Sequence, residues 1–201
     1  MRKLIVTLAT SLLLLSAARA DTATAGASVT LNGTFFTDNG VWSLGTNAAP
    51  NDLVNGVYQP NGQQWNFNSV WWNGASNPLN NIVIALTGSF LITDLKIQAD
   101  DNDSYKVEYW GSDWAWHDAW TVPAPGGWGL QTTGPEAVSP FVTNAFRLTA
   151  VAGDGYYAIS QLEATGTKAR DVNDVPESGL TIALWSAALG LLGLARRFVR
   201  G

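Results

Sequence analysis

Ile82-Val83-Ile84-Ala85-Leu86, then Phe90-Leu91-Ile92-Thr93-Asp94-Leu95-Lys96-Ile97, then Tyr105-Lys106-Val107-Glu108-Tyr109-Trp110 follow one another closely, with Asp100-Asp101-Asn102-Asp103 between the last two. β-branched and aromatic residues fill these runs, and the three-and-four apolar spacing of a helix is missing. The Asp/Asn cluster favours a tight turn, so the flanking runs read as a hairpin. Residues 90–97 alternate only loosely, as expected of a strand covered on one face and partly on the other. Working outward, 29–31, 69–72, 145–151 and 155–164 have the same character and are bounded by Asn, Gly, Asp and Pro clusters. No stretch repeats another, which excludes a propeller or solenoid. The expectation is an all-β fold, an antiparallel β-sandwich or jelly roll over residues 21–166, followed by a polar linker at 167–174.

Composition narrows the chemistry. The 201 residues are 46% hydrophobic and only 13% charged, about half the usual ~25% charged share. Low charge without hydrophobic poverty excludes a disordered chain. The absence of Cys excludes disulfides, thiolate zinc sites and a cysteine nucleophile, and a single His excludes a multi-histidine metal centre. Between residues 21 and 174 five basic residues face fifteen acidic ones, a net charge of about −10. Nucleic acid, anionic lipid and sulfated glycans need a basic surface and are disfavoured; neutral sugars are compatible.

Both ends carry address signals. Arg2 and Lys3, the apolar run 4–15 and Ala18-Arg19-Ala20 read as a secretory signal peptide over 1–20, cleaved by signal peptidase before Asp21. At the other end, Val175-Pro176-Glu177-Ser178 precedes the apolar run 179–195, which is followed by Arg196-Arg197. As a helix this run extends about 26 Å, slightly short of a ~30 Å hydrocarbon core, a gap that snorkelling or a thin bilayer covers. The arginines place the C-terminus in the cytoplasm and everything before the helix outside. The tail resembles the PEP-CTERM sorting signal: a Pro-Glu-Pro-like motif, one membrane helix and a basic cluster. The resemblance implies processing by exosortase in an exopolysaccharide-producing bacterium and delivery to the cell surface or matrix. Ser178 stands where a second Pro is usual, and a plain C-terminal anchor is the alternative.

The exported part resembles the discoidin (coagulation factor 5/8 type C) branch of the galactose-binding-like jelly rolls. Asn51-Asp52-Leu53-Val54-Asn55-Gly56 is similar to that family's Leu-Val-Asp-Gly loop. The runs 82–86 and 92–97 match its central strand, turn and strand, and Tyr105-Lys106-Val107-Glu108-Tyr109 the next strand. Phe146-Arg147-Leu148-Thr149 and Ser160-Gln161-Leu162-Glu163 match its closing pair. The resemblance implies a structural Ca²⁺ held by the loop and the closing strand, here at Asp52, Asn55 and Gln161. Asn55 and Gln161 replace the usual carboxylates, which weakens the set for a hard cation. Beyond this calcium, no cofactor is implied.

Nine of the ten Trp lie in the exported part. Trp65, Trp71, Trp72 and Trp110 lie in or beside predicted strands and read as core. Residues 111–130 contain Gly111, Gly126, Gly127, Gly129, Pro123 and Pro125 and read mostly as connecting loop, with Trp120 buried in a strand-like triplet. Aromatic residues on loops usually mean recognition. Trp114, Trp116 and Trp128, with Trp42 from an earlier loop, would stack on sugar rings, while Asp113, His117 and Asp118 bond hydroxyls. The bland alternative is that Trp114 and Trp116 cap the sandwich and His117 is a surface residue. The expected function is therefore binding of carbohydrate, the producer's exopolysaccharide, without catalysis. A structural matrix protein with no discrete ligand is one alternative. A glycan-active enzyme using a pair drawn from Asp113, Asp118, Asp154 and Glu163 is another, although no elbow, P-loop or zinc motif supports it.

Overall fold

In a computed structural model, the described residues are 20–33, 48–73 and 79–169. The signal segment before Ala20, Trp42, the tail motif Val175–Ser178, the apolar run 179–195 and Arg196-Arg197 lie outside them. Among the described residues no helix is long and apolar enough to cross a membrane.

The chain forms β1 (Asp21–Thr22), β2 (Ser28–Asn32), a 3-10 helix (Pro50–Val54), β3 (Val70–Asn73), β4 (Asn81–Asp100), β5 (Ser104–Trp110), β6 (Trp116–Val122), β7 (Leu130–Ala152) and β8 (Tyr156–Lys168). All pairing is antiparallel, in the order β1-β8-β4-β7-β5-β6, with β2 on β4 and β3 on β8. Two long strands make this one hydrogen-bonded system a two-layer sandwich. The first part of β4 pairs with β2 and with Ala145–Leu148 of β7; after a register break between Ala85 and Phe90, the rest pairs with β8 and with the first half of β7. β7 changes layer at the same place, and its second half then pairs with β5.

Alternation sends Ile82, Ile84, Phe146, Leu148, Tyr105 and Val107 inward from one layer. Ile92, Leu95, Ile97, Leu162 and Trp72 point inward from the other, and all belong to one buried cluster. The second layer's outer face is covered by residues 57–68, which Gln98 ties down by accepting from Gln59 N–H (2.8 Å) and donating to Gln59 O (2.8 Å). Trp65 packs there against Trp71, Leu130 and Ala158.

Several sequence expectations change. First, the turn expected between the runs 82–86 and 92–97 is absent, because β4 continues from Asn81 to Asp100 through a register break after Ala85. Second, Asp100–Asp103 is a turn but closes no hairpin: β7 lies between β4 and β5, with Asp100 opposite Leu130 and Ser104 opposite Ala152. The turn carries the chain from one layer to the other. Third, Trp116 and His117 sit on a strand and not on a loop: β6 occupies Trp116–Val122 and pairs along β5, while the rest of 111–129 is connecting chain, as expected. Fourth, β7 begins at Leu130, fifteen residues before the expected strand at 145. Gly134-Pro135 hid this half, and both residues sit where the register with β4 shifts between Leu95 and Ile97. A bulge tolerates a residue with no N–H, and a Cβ at Gly134 would lie 2.7 Å from Leu95 O. β8 also runs to Lys168, so the first two residues of the polar 167–174 segment are paired with β4.

Candidate functional site: a cleft at the β5–β6 end

Strand directions give the sandwich two ends. One carries the β4–β5 and β7–β8 turns; the other carries the β5–β6 turn and the points where β4 and β7 change layers. An open cleft of about 570 Å³ lies at the second end, within the size range of small-ligand sites. The β5–β6 turn with Tyr109, Trp110 and His117 forms one side; Phe141 to Asn144 of β7 and Ser89 of β4 form the other.

Local chemistry shapes this turn. Trp114 N–H donates to Gly111 O (3.1 Å) and Gly111 N–H to Ala115 O (2.9 Å). The closure puts Trp114 in the left-handed region at φ +64°, costing a bulky residue on the order of 1 kcal/mol. Its side chain gains little burial in return, since Trp114 is 80% exposed at the cleft rim. An indole held out by a strained backbone points to a role other than packing. Behind it, His117 Nε2 donates to both carboxylate oxygens of Asp113, at 2.8 and 3.0 Å. That hydrogen bond holds the Asp113 carboxyl below its usual range. Gly111 makes room for the pair, because a Cβ there would lie 2.6 Å from Asp113 Oδ1 and 2.7 Å from His117 Nε2.

The His117 ring stacks on Tyr109 at 5.3 Å, Tyr109 on Phe141 at 4.0 Å, and Phe141 meets core Phe146 edge-on at 6.3 Å. This aromatic series fixes the polar pair to the core. Buried Thr143 locks the opposite wall: its Oγ1 accepts from Trp110 N–H (3.2 Å) and Ala145 N–H (3.1 Å). The cleft thus combines an exposed aromatic face, an oriented carboxylate–imidazole pair and hydroxyl and amide groups from Ser89, Ser112 and Asn144. None of the described lining residues is Lys or Arg.

The structure brings together Asp113, Trp114 and His117 and separates them from the other candidates. Trp116 precedes His117 on β6 and faces the other side of the sheet. Its ring meets Trp110 edge-on at 5.1 Å and lies under Arg147 at 4.8 Å, while Arg147 donates to both oxygens of Glu108 at 2.7 and 2.8 Å. Trp128 is 64% exposed but follows β6, so it lies at the opposite end, about 20 Å along the strand. Its neighbour Gly126 donates to Asp101 O there (2.9 Å). Trp120 is half-buried against the core, while Trp71 and Trp72 are buried. Phe141, Thr143 and Asn144 escaped sequence reasoning because β7 supplies its half of the cleft from a distant segment, and Tyr109, on β5, read only as a strand residue.

The carboxylates considered for a glycosidase pair are dispersed. Asp118 is exposed and bonds Lys106 at 3.1 Å on the outer face. Asp154 sits at the β4–β5 end, accepting from Asn102 Nδ2 (3.0 Å), and Glu163 accepts from Tyr58 OH (3.2 Å). Asp113 alone belongs to the cleft.

Asp52, Asn55 and Gln161 do meet. With the Gln161 amide oriented to satisfy its neighbours, its Nε2 donates to Asp52 O (3.0 Å) and Asn55 Oδ1 (3.2 Å), and its Oε1 accepts from Gly56 N–H (2.9 Å). The Asp52 carboxylate is turned elsewhere, accepting from Ala49 N–H (2.9 Å) and Asn55 Nδ2 (3.3 Å). The converging oxygens are neutral and an N–H₂ group fills the point between them. This set does not fit Ca²⁺, which seeks several carboxylate oxygens.

No protein-family model matches the sequence, and no curated protein is similar to it. Among solved structures, a family 89 glycoside hydrolase from Clostridium perfringens, in complex with 2-acetamido-1,2-dideoxynojirmycin, is similar over 77% of this chain and 16% of its own, at 12% identity and a TM-score of 0.52. A variant of that enzyme in complex with its substrate GlcNAc-α-1,4-galactose is similar over 83% of this chain and 17% of its own, at 12% identity and a TM-score of 0.51. The family 32 carbohydrate-binding module of Streptococcus pneumoniae EndoD is similar over 72% and 98%, at 14% identity and a TM-score of 0.47. At such identities the likeness is one of fold: the two hydrolase superpositions carry the assignment of an antiparallel β-sandwich, and the chain corresponds to about a sixth of that enzyme.

Proposed function

We propose that this is an exported, noncatalytic domain that binds a neutral carbohydrate in the β5–β6 cleft, with the producer's exopolysaccharide as the ligand. One observation carries the reading: Trp114 is held exposed, in a strained conformation, beside the oriented Asp113–His117 pair. A pyranose offers an apolar C–H face for the indole and hydroxyls for a carboxylate with unused lone pairs. The lack of Lys and Arg in the described lining favours a neutral sugar over an acidic one. A sandwich shared with a segment of an enzyme solved with its glycan substrate is in keeping with this reading, although fold alone does not fix function.

The proposal includes the route. Signal peptidase removes residues 1–20, the helix at 179–195 holds the chain in the inner membrane, and exosortase cuts near Val175–Ser178, releasing the domain to the surface or matrix. The order of motif, apolar run and arginines supports this. Intact-mass measurement of the extracellular form in its host tests it. The expected species begins at Asp21 and lacks Arg196-Arg197; recovery with those arginines attached leaves a plain anchor. A glycan array probed with the protein tests the ligand. Neutral glycans are expected to bind, and silence across neutral and acidic glycans favours the structural-matrix reading.

A further inference from the structure

We infer that Gln161 is an internal, uncharged clamp standing where a cation would otherwise tie the Pro50–Val54 segment to β8, and that the fold is therefore insensitive to divalent cations. Gln161 is buried on β8, and one carboxamide satisfies three groups of the facing loop: the Asp52 carbonyl, the Asn55 side-chain oxygen and the Gly56 N–H. An amide suits this arrangement because it donates on one side and accepts on the other. With the amide in this orientation its N–H₂ occupies the place a cation would take, and holding one would require turning Oε1 inward at the cost of the bond from Gly56 N–H.

The arrangement also explains why the loop holds its shape without a charged ligand. Asp52 caps the 3-10 helix through Ala49 N–H, Asn55 Oδ1 accepts from Val57 N–H at 2.7 Å, and Leu53 and Val54 are buried. Once Gln161 is in place, each described polar group facing it has a partner. A carboxylate at 161 would reverse the situation. One of its oxygens would still accept from Gly56 N–H, but the other would face the Asp52 carbonyl and Asn55 Oδ1, a cluster of hard oxygens that a bound cation or a proton relieves. This inference is independent of the ligand reading of the cleft.

Thermal unfolding of the full chain in EDTA and in millimolar Ca²⁺ tests it, with Gln161→Ala and Gln161→Glu alongside. The unsubstituted protein is expected to melt at the same temperature in both buffers. Gln161→Ala is expected to melt roughly 5 °C lower in both, because buried loop groups lose their partner. Gln161→Glu is expected to melt lower in EDTA and to recover part of the loss in Ca²⁺. A melting temperature of the unsubstituted protein that falls in EDTA and is restored by Ca²⁺ would overturn the inference. So would Gln161→Ala melting like the unsubstituted protein. If Gln161→Glu does not fold, these two comparisons still decide.

Discussion

Raising the pH from about 4 to about 8 is predicted to destabilise this protein, through two carboxyls at the turn where β4 hands the chain to β5. Asp100 and Asp103 are 2% and 0% exposed. Burial, reinforced at Asp100 by the neighbouring Asp103, pushes Asp100 up to about 8. Burial pushes Asp103 up to about 7, against the opposing hydrogen bond from Tyr105. In the unfolded chain both titrate near 3.9, so between the two values the native state holds more protons than the unfolded state. Stability is therefore fully present below about pH 4 and falls as pH rises through the native values. A rise of about three units at Asp103 corresponds to on the order of 4 kcal/mol; because the two carboxyls interact, they are treated as a pair and not summed. For a chain of this size that is a fall of roughly 10 °C in melting temperature. Tyr105, which bonds Asp103 Oδ2 at 3.0 Å and accepts from Ala158 N–H at 2.9 Å, links the pair to the core. The Asp113 carboxyl, held low by His117, acts oppositely and only below this window. Tryptophan fluorescence melts at constant ionic strength between pH 4.5 and 8.5 provide the assay, with Asp100→Asn and Asp103→Asn as controls that flatten the slope. A melting temperature that stays level or rises over this range, or a full slope in the double variant, would refute the reasoning.

Two further predictions concern the cleft and its surroundings. Gly111→Ala is expected to weaken glycan binding at least tenfold with a modest loss of stability, because the added methyl displaces the Asp113–His117 pair; unchanged affinity in a fluorescence titration would count against that pair. Trp116→Ala is expected to weaken glycan affinity far less than Trp114→Ala and to cost about 1–3 kcal/mol of stability in denaturant unfolding, since its ring packs on Arg147 and touches the cleft wall only through Trp110.

The expected strand at 104–110 agrees with the structure, and those at 81–86 and 90–99 are strand because each presents its own apolar face, a local pattern; that they join into the single strand β4 without a turn is not local. β7 was only half legible. Its first half carries Gly134, Pro135 and Pro140, which individually argue against a strand, and its pairing with β4 around a bulge depends on residues some forty positions away. The Asp100–Asp103 turn was legible as a turn but not as a crossing between layers, because β7, which inserts between β4 and β5, comes later in the chain. In the candidate site, Asp113, Trp114 and His117 were identified from proximity along the sequence. The same proximity grouped with them Trp116, which strand alternation sends to the other face, and Trp128, which β6 carries to the far end, so the structure sets both apart from the cleft. The weakened calcium set could be read from Asn55 and Gln161. That the Gln161 amide would itself complete the loop is a tertiary fact.

The central claim is that the indole of Trp114 is a ligand-binding surface. It is tested most directly by the affinity of the protein for an array-identified neutral glycan, compared with Trp114→Ala and Trp128→Ala and accompanied by a melt of each variant. The account predicts that Trp114→Ala binds roughly 5- to 150-fold more weakly, the range of an aromatic anchor worth about 1–3 kcal/mol, while melting like the unsubstituted protein or slightly higher. Trp128→Ala is predicted to bind normally. Undiminished binding by Trp114→Ala, or a loss confined to Trp128→Ala, would contradict the account and move the site to the opposite end of the sandwich.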